Sequence, residues 1–261
     1  MTASAFKYIY GPVYSWRLGM SLGVDPLNTE RKYCNFACSY CQLGAANSFG
    51  VERKVFVSVE DIVSELKALP AEVCIDYVTF SGNGEPTLAA NLGAMIRAVH
   101  DKFAFKTAVI TNASTIQDAE VRADLAEADF VLFKLEAADQ SMFEKINVPC
   151  PGITLERIVS GLVDFRKVFK GRMALQIMMT EVNKDSATEI ALIARRIAPD
   201  EVQLNTPLRP SPVKPLDEEQ MLLIRQAFSG LNVLSVYEEE KERYEPFDDA
   251  ATRKRHGQYR Q

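Results

Sequence analysis

What this chain has little of narrows it first. No apolar run approaches the ~20 residues that a membrane-spanning helix needs, and stretches such as Val131-Leu132-Phe133 soon end. Residues 1–20 show no basic head followed by an apolar core. Lys7, Arg17 and several polar residues interrupt them, so no secretory leader and no membrane partner are expected. Gly/Ser linkers, low-complexity segments and short repeats are missing. Histidine is scarce, with His100 and His256 standing far apart. Positive charge is in deficit: 30 Lys and Arg face 35 Asp and Glu, for a net charge of −5 at pH 7. Phosphate neutralisation is the main source of nucleic-acid affinity, so this balance disfavours a polyanionic partner while leaving room for a local basic patch.

What is present reads as globular. Of 261 residues, 47% are hydrophobic and 25% charged, which excludes wholesale disorder and fits one or two domains with a sizeable core. The five cysteines are odd in number and come without an export signal. A reducing, cytoplasmic setting is expected, where clustered cysteines signal metal binding or catalysis more often than disulfides.

Strand-like and helix-like segments alternate. Strands are expected at residues 21–24, 75–80, 107–111, 130–135, 174–179, 201–205 and 233–237. Helices are expected at 58–69, 91–102, 117–127, 155–168, 187–197 and from Asp217 onward. In the first of these Ser58 is a cap, and Ile62, Val63, Leu66 and Leu69 share a face. In the last, Asp217 and Gln220 open a helix with Met221, Ile224 and Phe228 on its apolar stripe. Alternation of this kind implies parallel strands with right-handed crossovers, in an open sheet or an incomplete barrel. Both place ligands at the carboxyl ends of the strands. We divide the chain into an N-terminal extension (1–20), an α/β body (21–236) and a tail (237–261). Seven acidic and six basic residues in that tail read as a solvated end, with contact between the basic run 253–256 and a substrate as the alternative.

Two segments carry chemistry. The first is Cys34-Asn-Phe-Ala-Cys38-Ser-Tyr-Cys41, in a loop after the first strand. Thiolates at spacings of four and three can wrap a compact centre, and as soft ligands they suit iron–sulfur clusters or zinc. Three ligands leave one iron of a four-iron cubane open. A structural zinc site wants a fourth ligand from a second close pair, whereas Cys74, Cys150, His100 and His256 are isolated. A non-catalytic zinc or electron-transfer protein stands as the alternative. The second segment, residues 81–87, reads Ser-Gly-Asn-Gly-Glu-Pro-Thr after a strand. Its small residues allow close backbone approach to a ligand, and Glu85 adds a carboxylate. Further strand ends carry Asn112, Lys134, Glu136, Gln176, Asn205 and Arg209.

The cysteine spacing, with Tyr40 directly before the last cysteine, resembles the signature of the radical S-adenosylmethionine (radical SAM) superfamily. That resemblance implies a partial (β/α)6 TIM-like barrel of parallel strands with outer helices, spanning residues 21–236. It implies a [4Fe–4S] cluster on Cys34, Cys38 and Cys41, with S-adenosylmethionine chelated to the fourth iron and Tyr40 near its adenine. Gly82, Asn83, Gly84 and Glu85 stand where the family's Gly-Gly-Glu-type segment binds the methionine ammonium, with Asn83 in place of the middle glycine. Asn112, Lys134, Glu136, Gln176 and Asn205 are the further candidate cofactor contacts. Arg17, Lys134 and Arg209 are candidates for an anionic substrate group. A flavodoxin- or ferredoxin-type donor would supply the electron, and a 5′-deoxyadenosyl radical would abstract hydrogen from a tRNA base, a peptide or a small metabolite. Residues 10–23, 145–152 and 203–210 resemble the branch grouped with wyosine-forming tRNA enzymes, whose extra upstream cysteines are lacking here, since none precedes Cys34.

Overall fold

The computed structural model describes residues 6–44, 49–238, 246 and 249–256. One sheet of eight strands runs in sequence order. These are β1 (Ile9–Ser15), β2 (Gly19–Val24), β3 (Tyr77–Phe80), β4 (Lys106–Thr111), β5 (Phe130–Lys134), β6 (Arg172–Met178), β7 (Glu201–Asn205) and β8 (Val233–Ser235). The first pair is antiparallel, closed by a tight turn, and every later pair is parallel. Helical crossovers of one hand, added strand by strand in order, curl such a sheet into a half-barrel with helices outside. The expected partial barrel of parallel strands is therefore observed, extended by the antiparallel edge strand β1.

Because both faces are covered, the central strands are apolar without alternation. In β5, Phe130, Val131, Leu132 and Phe133 are all fully buried. Phe130 and Leu132 face the barrel interior with Leu18, Ala108 and Ala174, whereas Val131 and Phe133 join the layer under the helices. The interior cluster fills one end of the barrel and leaves the other to polar side chains.

The helices are α1 (Val59–Lys67), α2 (Leu92–Phe103), α3 (Ala119–Ala126), α4 (Gln140–Ile146), α5 (Leu155–Val168), α6 (Ala187–Ile197), α7 (Glu218–Ala227) and α8 (Asp249–His256). Capping sets their starts. Ser58 accepts from the Asp61 amide at 3.0 Å, and Asp217 and Gln220 form a reciprocal capping box. Sequence periodicity missed α4. It spans seven residues and buries Phe143 and Ile146, too little for a stripe, and begins where Asp139 accepts from the Met142 amide at 2.8 Å.

Part of the charged tail is buried. Thr252 accepts from the Gly11 amide at 3.0 Å, and Arg255 pairs with Asp25 at 3.3 Å. Asp25, at the end of β2, is fully buried, and a buried carboxylate needs a partner. A composition reading takes the tail as solvated because the partner lies 230 residues away. Arg253 is exposed. The side chains of Lys254 and His256, and residues 1–5, 239–245 and 257–261, lie outside the described residues. Among the described residues no helix is long and apolar enough to cross a membrane.

Candidate functional site

The cysteine loop follows β2 and is held by backbone pairing on two sides. On one side the Tyr33 amide donates to the Asn83 carbonyl at 2.9 Å, and the Glu85 amide to the Tyr33 carbonyl at 3.0 Å. On the other, Ala37 donates to Val148 at 3.0 Å, Ser39 to Ile146 at 2.8 Å, and Cys150 to Asn35 at 2.8 Å. A loop without regular structure thus satisfies its buried backbone groups against the segments that follow β3 and α4. That pairing fixes where its sulfurs lie relative to the strand ends.

The glycines of the 81–87 segment serve this approach. A Cβ on Gly84 would stand 1.8 Å from the Tyr33 carbonyl oxygen. Gly82 has φ +136°, and a Cβ there would meet the Asp25 carboxyl carbon at 2.5 Å. Asn83 donates from Nδ2 to the Thr29 carbonyl at 3.1 Å, tying down the start of the loop.

Cys34 is buried, and Cys38 and Cys41 are half-buried. Amide donors approach two of the sulfurs: Asn112 Nδ2 lies 3.7 Å from Cys34 Sγ, and Asn147 Nδ2 lies 3.7 Å from Cys38 Sγ. Lys32 acts electrostatically on all three and hydrogen-bonds to Cys41, and its Nζ is buried. Burial pushes the Cys34 thiol up to about 12, helped by Glu85, and the Cys38 thiol up to about 11, helped by Glu136. Lys32 opposes both shifts. Burial lowers the Lys32 ammonium, but Cys41, Cys34 and Cys38 outweigh it and raise it overall. Such thiols keep their protons until a cationic centre replaces them. Among the described residues no three His, Cys, Asp or Glu side chains converge on a single metal ion. Three thiols from one loop, with amide donors against two of them, fit a multi-iron centre with thiolate ligands.

Glu85 is 2% exposed, and its carboxylate is engaged by the chain itself. Oε1 accepts from Thr111 Oγ1 at 2.6 Å and Thr87 Oγ1 at 2.7 Å, and Oε2 accepts from the Asn112 amide at 2.8 Å. Burial raises its pKa, and the bonds from Asn112, Thr111 and Thr87 pull it back. Glu85 thereby joins the end of β3 to the end of β4. The Asn112 side chain turns to Asn35 Oδ1 at 2.8 Å.

Beyond β5, Lys134 Nζ donates to Gln176 Oε1 at 2.8 Å, pairs with Glu136 at 3.3 Å and lies 5.3 Å from the centre of the Tyr40 ring. Glu136 is buried and accepts from Asn147 Nδ2 at 2.8 Å. Burial, then Cys38 and Glu136, holds the Tyr40 phenol well above its usual value. Asn205 ends β7, half-buried, and its Oδ1 accepts from the Thr206 amide at 2.9 Å. Tyr40, Cys41, Lys134, Gln176 and Asn205 share the wall of one cavity of about 390 Å³. Asn112 and Glu136 stand in the polar layer around Lys134, and Gly82 lines an adjoining hollow.

Other singled-out residues lie elsewhere. Cys74 is exposed, ahead of β3, and His100 on α2 bonds to Asp129 at 2.9 Å as a packing residue. Sequence reading did not pick out Lys32, Asn35 or Asn147 as site residues. Asn147 sits inside the 145–152 stretch that carried the branch resemblance, so its signal was present without a role. Lys32 carries no signal in spacing or periodicity.

A family profile described as the radical SAM superfamily matches residues 32–194. A UPF0026 protein of Synechocystis sp. is 39% identical over 213 residues, covering 81% of this chain and 79% of its own. The fold superimposes on a radical SAM methyltransferase from Sphaerobacter thermophilus with a TM-score of 0.62 at 16% identity, covering 82% of this chain and 65% of that one. It also superimposes on Streptococcus suis SuiB bound to S-adenosylmethionine, with a TM-score of 0.60 at 16% identity, covering 78% of this chain and 48% of that one. The chain thus spans less than two thirds of either solved neighbour's length.

Proposed function

The chain belongs to the radical SAM superfamily, and on that premise we propose that it is an enzyme that cleaves S-adenosylmethionine reductively at a [4Fe–4S] cluster held by Cys34, Cys38 and Cys41. One observation carries the reading: three thiols on a loop pinned from both sides, with Lys32 and two side-chain amides against their sulfurs. Held by Cys34, Cys38 and Cys41, such a cluster would supply the electron for splitting the sulfonium carbon–sulfur bond into methionine and a hydrogen-abstracting 5′-deoxyadenosyl radical. The residues around it do the positioning. Tyr40 offers an apolar face beside the last cysteine. Asn112 and Asn147 donate toward sulfur. The 82–84 backbone and the strand-end residues Lys134 and Asn205 are the groups available to orient the cofactor, and Gln176 holds Lys134 in place. Glu85 and Glu136 hold these strand ends in register through their bonds to Thr111, Thr87 and Asn147. A flavodoxin- or ferredoxin-type protein would deliver the electron.

The test is anaerobic reconstitution. The protein is expected to take up about four irons and four sulfides, then to form 5′-deoxyadenosine when given dithionite and S-adenosylmethionine. Uptake of one zinc without cleavage would replace this reading with a structural metal site. Lys32→Met is expected to leave iron content unchanged and to move the cluster's midpoint potential to more negative values. The shift should be on the order of 50 mV, about a tenfold change in a one-electron equilibrium, because a cation beside the sulfurs favours the reduced state. A redox titration followed by electron paramagnetic resonance reads it.

A further inference from the structure

The 390 Å³ cavity beside Cys41 has an unusual charge balance. Its wall carries Arg17, Lys134, Arg209 and Arg255 and no Asp or Glu, in a chain of net charge −5. Two of these cations are compensated, Lys134 by Glu136 and Arg255 by Asp25, both at 3.3 Å. Arg17 and Arg209 make no ion pair among the described residues. Arg17 rests against the Trp16 ring, with its guanidinium carbon 5.0 Å from the ring centre. Its Nε is buried without a hydrogen-bond partner, and Gln176 Nε2 in the same wall is orphaned in the same way. Burial and then the charge of Arg209 bring the Arg17 guanidinium down to about 10. It stays charged near neutral pH, so two like charges face one space with no acid between them.

Unpaired buried donors and an uncompensated charge are both costly, and both costs vanish when an anion with several acceptor oxygens enters. Arginine's planar fork matches the oxygens of phosphate. Near neutral pH a phosphate monoester carries nearly two charges, which answers two guanidiniums, whereas a carboxylate carries one. We propose that this cavity binds the phosphoryl group of a small phosphorylated molecule, with Arg17 and Arg209 gripping the anion and Gln176 Nε2 as a neutral donor. Taking that molecule as the substrate rests on the radical reading, because Cys41 lines the same space. A nucleic-acid backbone would need a track of cations along the surface, and the net charge of −5 disfavours such a partner.

Trp16, the single tryptophan, lines the cavity and touches Arg17, so its emission reads occupancy. Reconstituted protein saturated with S-adenosylmethionine is titrated anaerobically with inorganic phosphate at constant ionic strength. A saturable change is expected, with affinity at least tenfold weaker in Arg17→Gln and in Arg209→Gln and unaltered in Lys170→Gln, at an exposed site outside the cavity. Arg209 is exposed at the mouth, so its variant keeps the test valid should Arg17→Gln fold poorly. An equal response in Arg209→Gln, or no saturation, overturns the proposal. So does malonate binding more tightly than phosphate. If the variants lose affinity for S-adenosylmethionine and not for phosphate, the arginines serve the cofactor and the proposal falls. A short RNA hairpin that displaces phosphate with steep salt dependence would replace it with a polyanion site. 5′-Deoxyadenosine formation is measured separately: phosphate binding without cleavage retains this site and removes the radical reading, and the reverse result does the opposite.

Discussion

Cys38→Ala is expected to abolish both cluster assembly and S-adenosylmethionine cleavage. The candidate centre draws its three thiols from one loop; of the other cysteines, Cys74 is exposed ahead of β3, and Cys150 adjoins the loop through its backbone amide, which donates to Asn35. The loss is compounded locally. Cys38 is the sulfur that meets Asn147 Nδ2, which also donates to the buried Glu136. Iron content after anaerobic reconstitution should fall from about four per chain to background, with no 5′-deoxyadenosine above the blank, a loss larger than the 10–100-fold typical of removing a supporting group. Cys74→Ala should retain both. Cleavage persisting in Cys38→Ala would end the ligand assignment, while loss in both variants would point to general destabilisation.

Gly84→Ala is the second large effect, and it contains no ligand chemistry at all. The added methyl would overlap a backbone carbonyl oxygen at 1.8 Å, and that carbonyl already accepts from the Glu85 amide at 3.0 Å. Neither partner is the end of a flexible side chain, so relief requires the cysteine loop to part from the segment after β3. Overpacking costs about 3 kcal/mol when backbone must shift, which for a chain of this size lowers Tm by roughly 10 °C. The informative outcome is coupling: thermal stability and iron uptake are expected to fall together. Asn83→Ala removes one side-chain bond, to Thr29, and should cost only about 1 kcal/mol with cluster uptake preserved. A Gly84→Ala protein with native Tm and full iron content would show that the loop is placed by other contacts.

The two variants separate what a motif states from what it needs. Read alone, Gly-Asn-Gly after a strand looks like a ligand-binding turn. In the fold, Gly84 makes room for Tyr33, and Gly82 makes room for Asp25. Glu85, the residue with the plainest chemical promise, spends its carboxylate on Thr87, Thr111 and the Asn112 amide. Its substitution would therefore act through the strand ends as well as through any cofactor.

Much of this protein was legible in its residues because the signals are short-ranged. Side-chain periodicity gave α5 and α6 to the residue, and β-rich runs gave seven of the strands, since both depend on neighbours within one or two turns. The cysteine triplet was legible for the same reason: its spacing lies within eight residues. The antiparallel β1 and the short α4 were not, being too brief or too irregular to impose a period. What remained to the tertiary structure were the encounters between distant segments. Lys32 meets the sulfurs, Asn147 bridges Cys38 to Glu136, and Arg255 reaches back to Asp25. A cavity with four cations and no acid emerges from residues drawn from β1, the cysteine loop, β5, β6, the segment after β7 and α8. Local sequence sets which backbone each segment prefers. Only packing decides which charges are left without partners, because that depends on what the rest of the chain brings, or fails to bring, within a few ångströms.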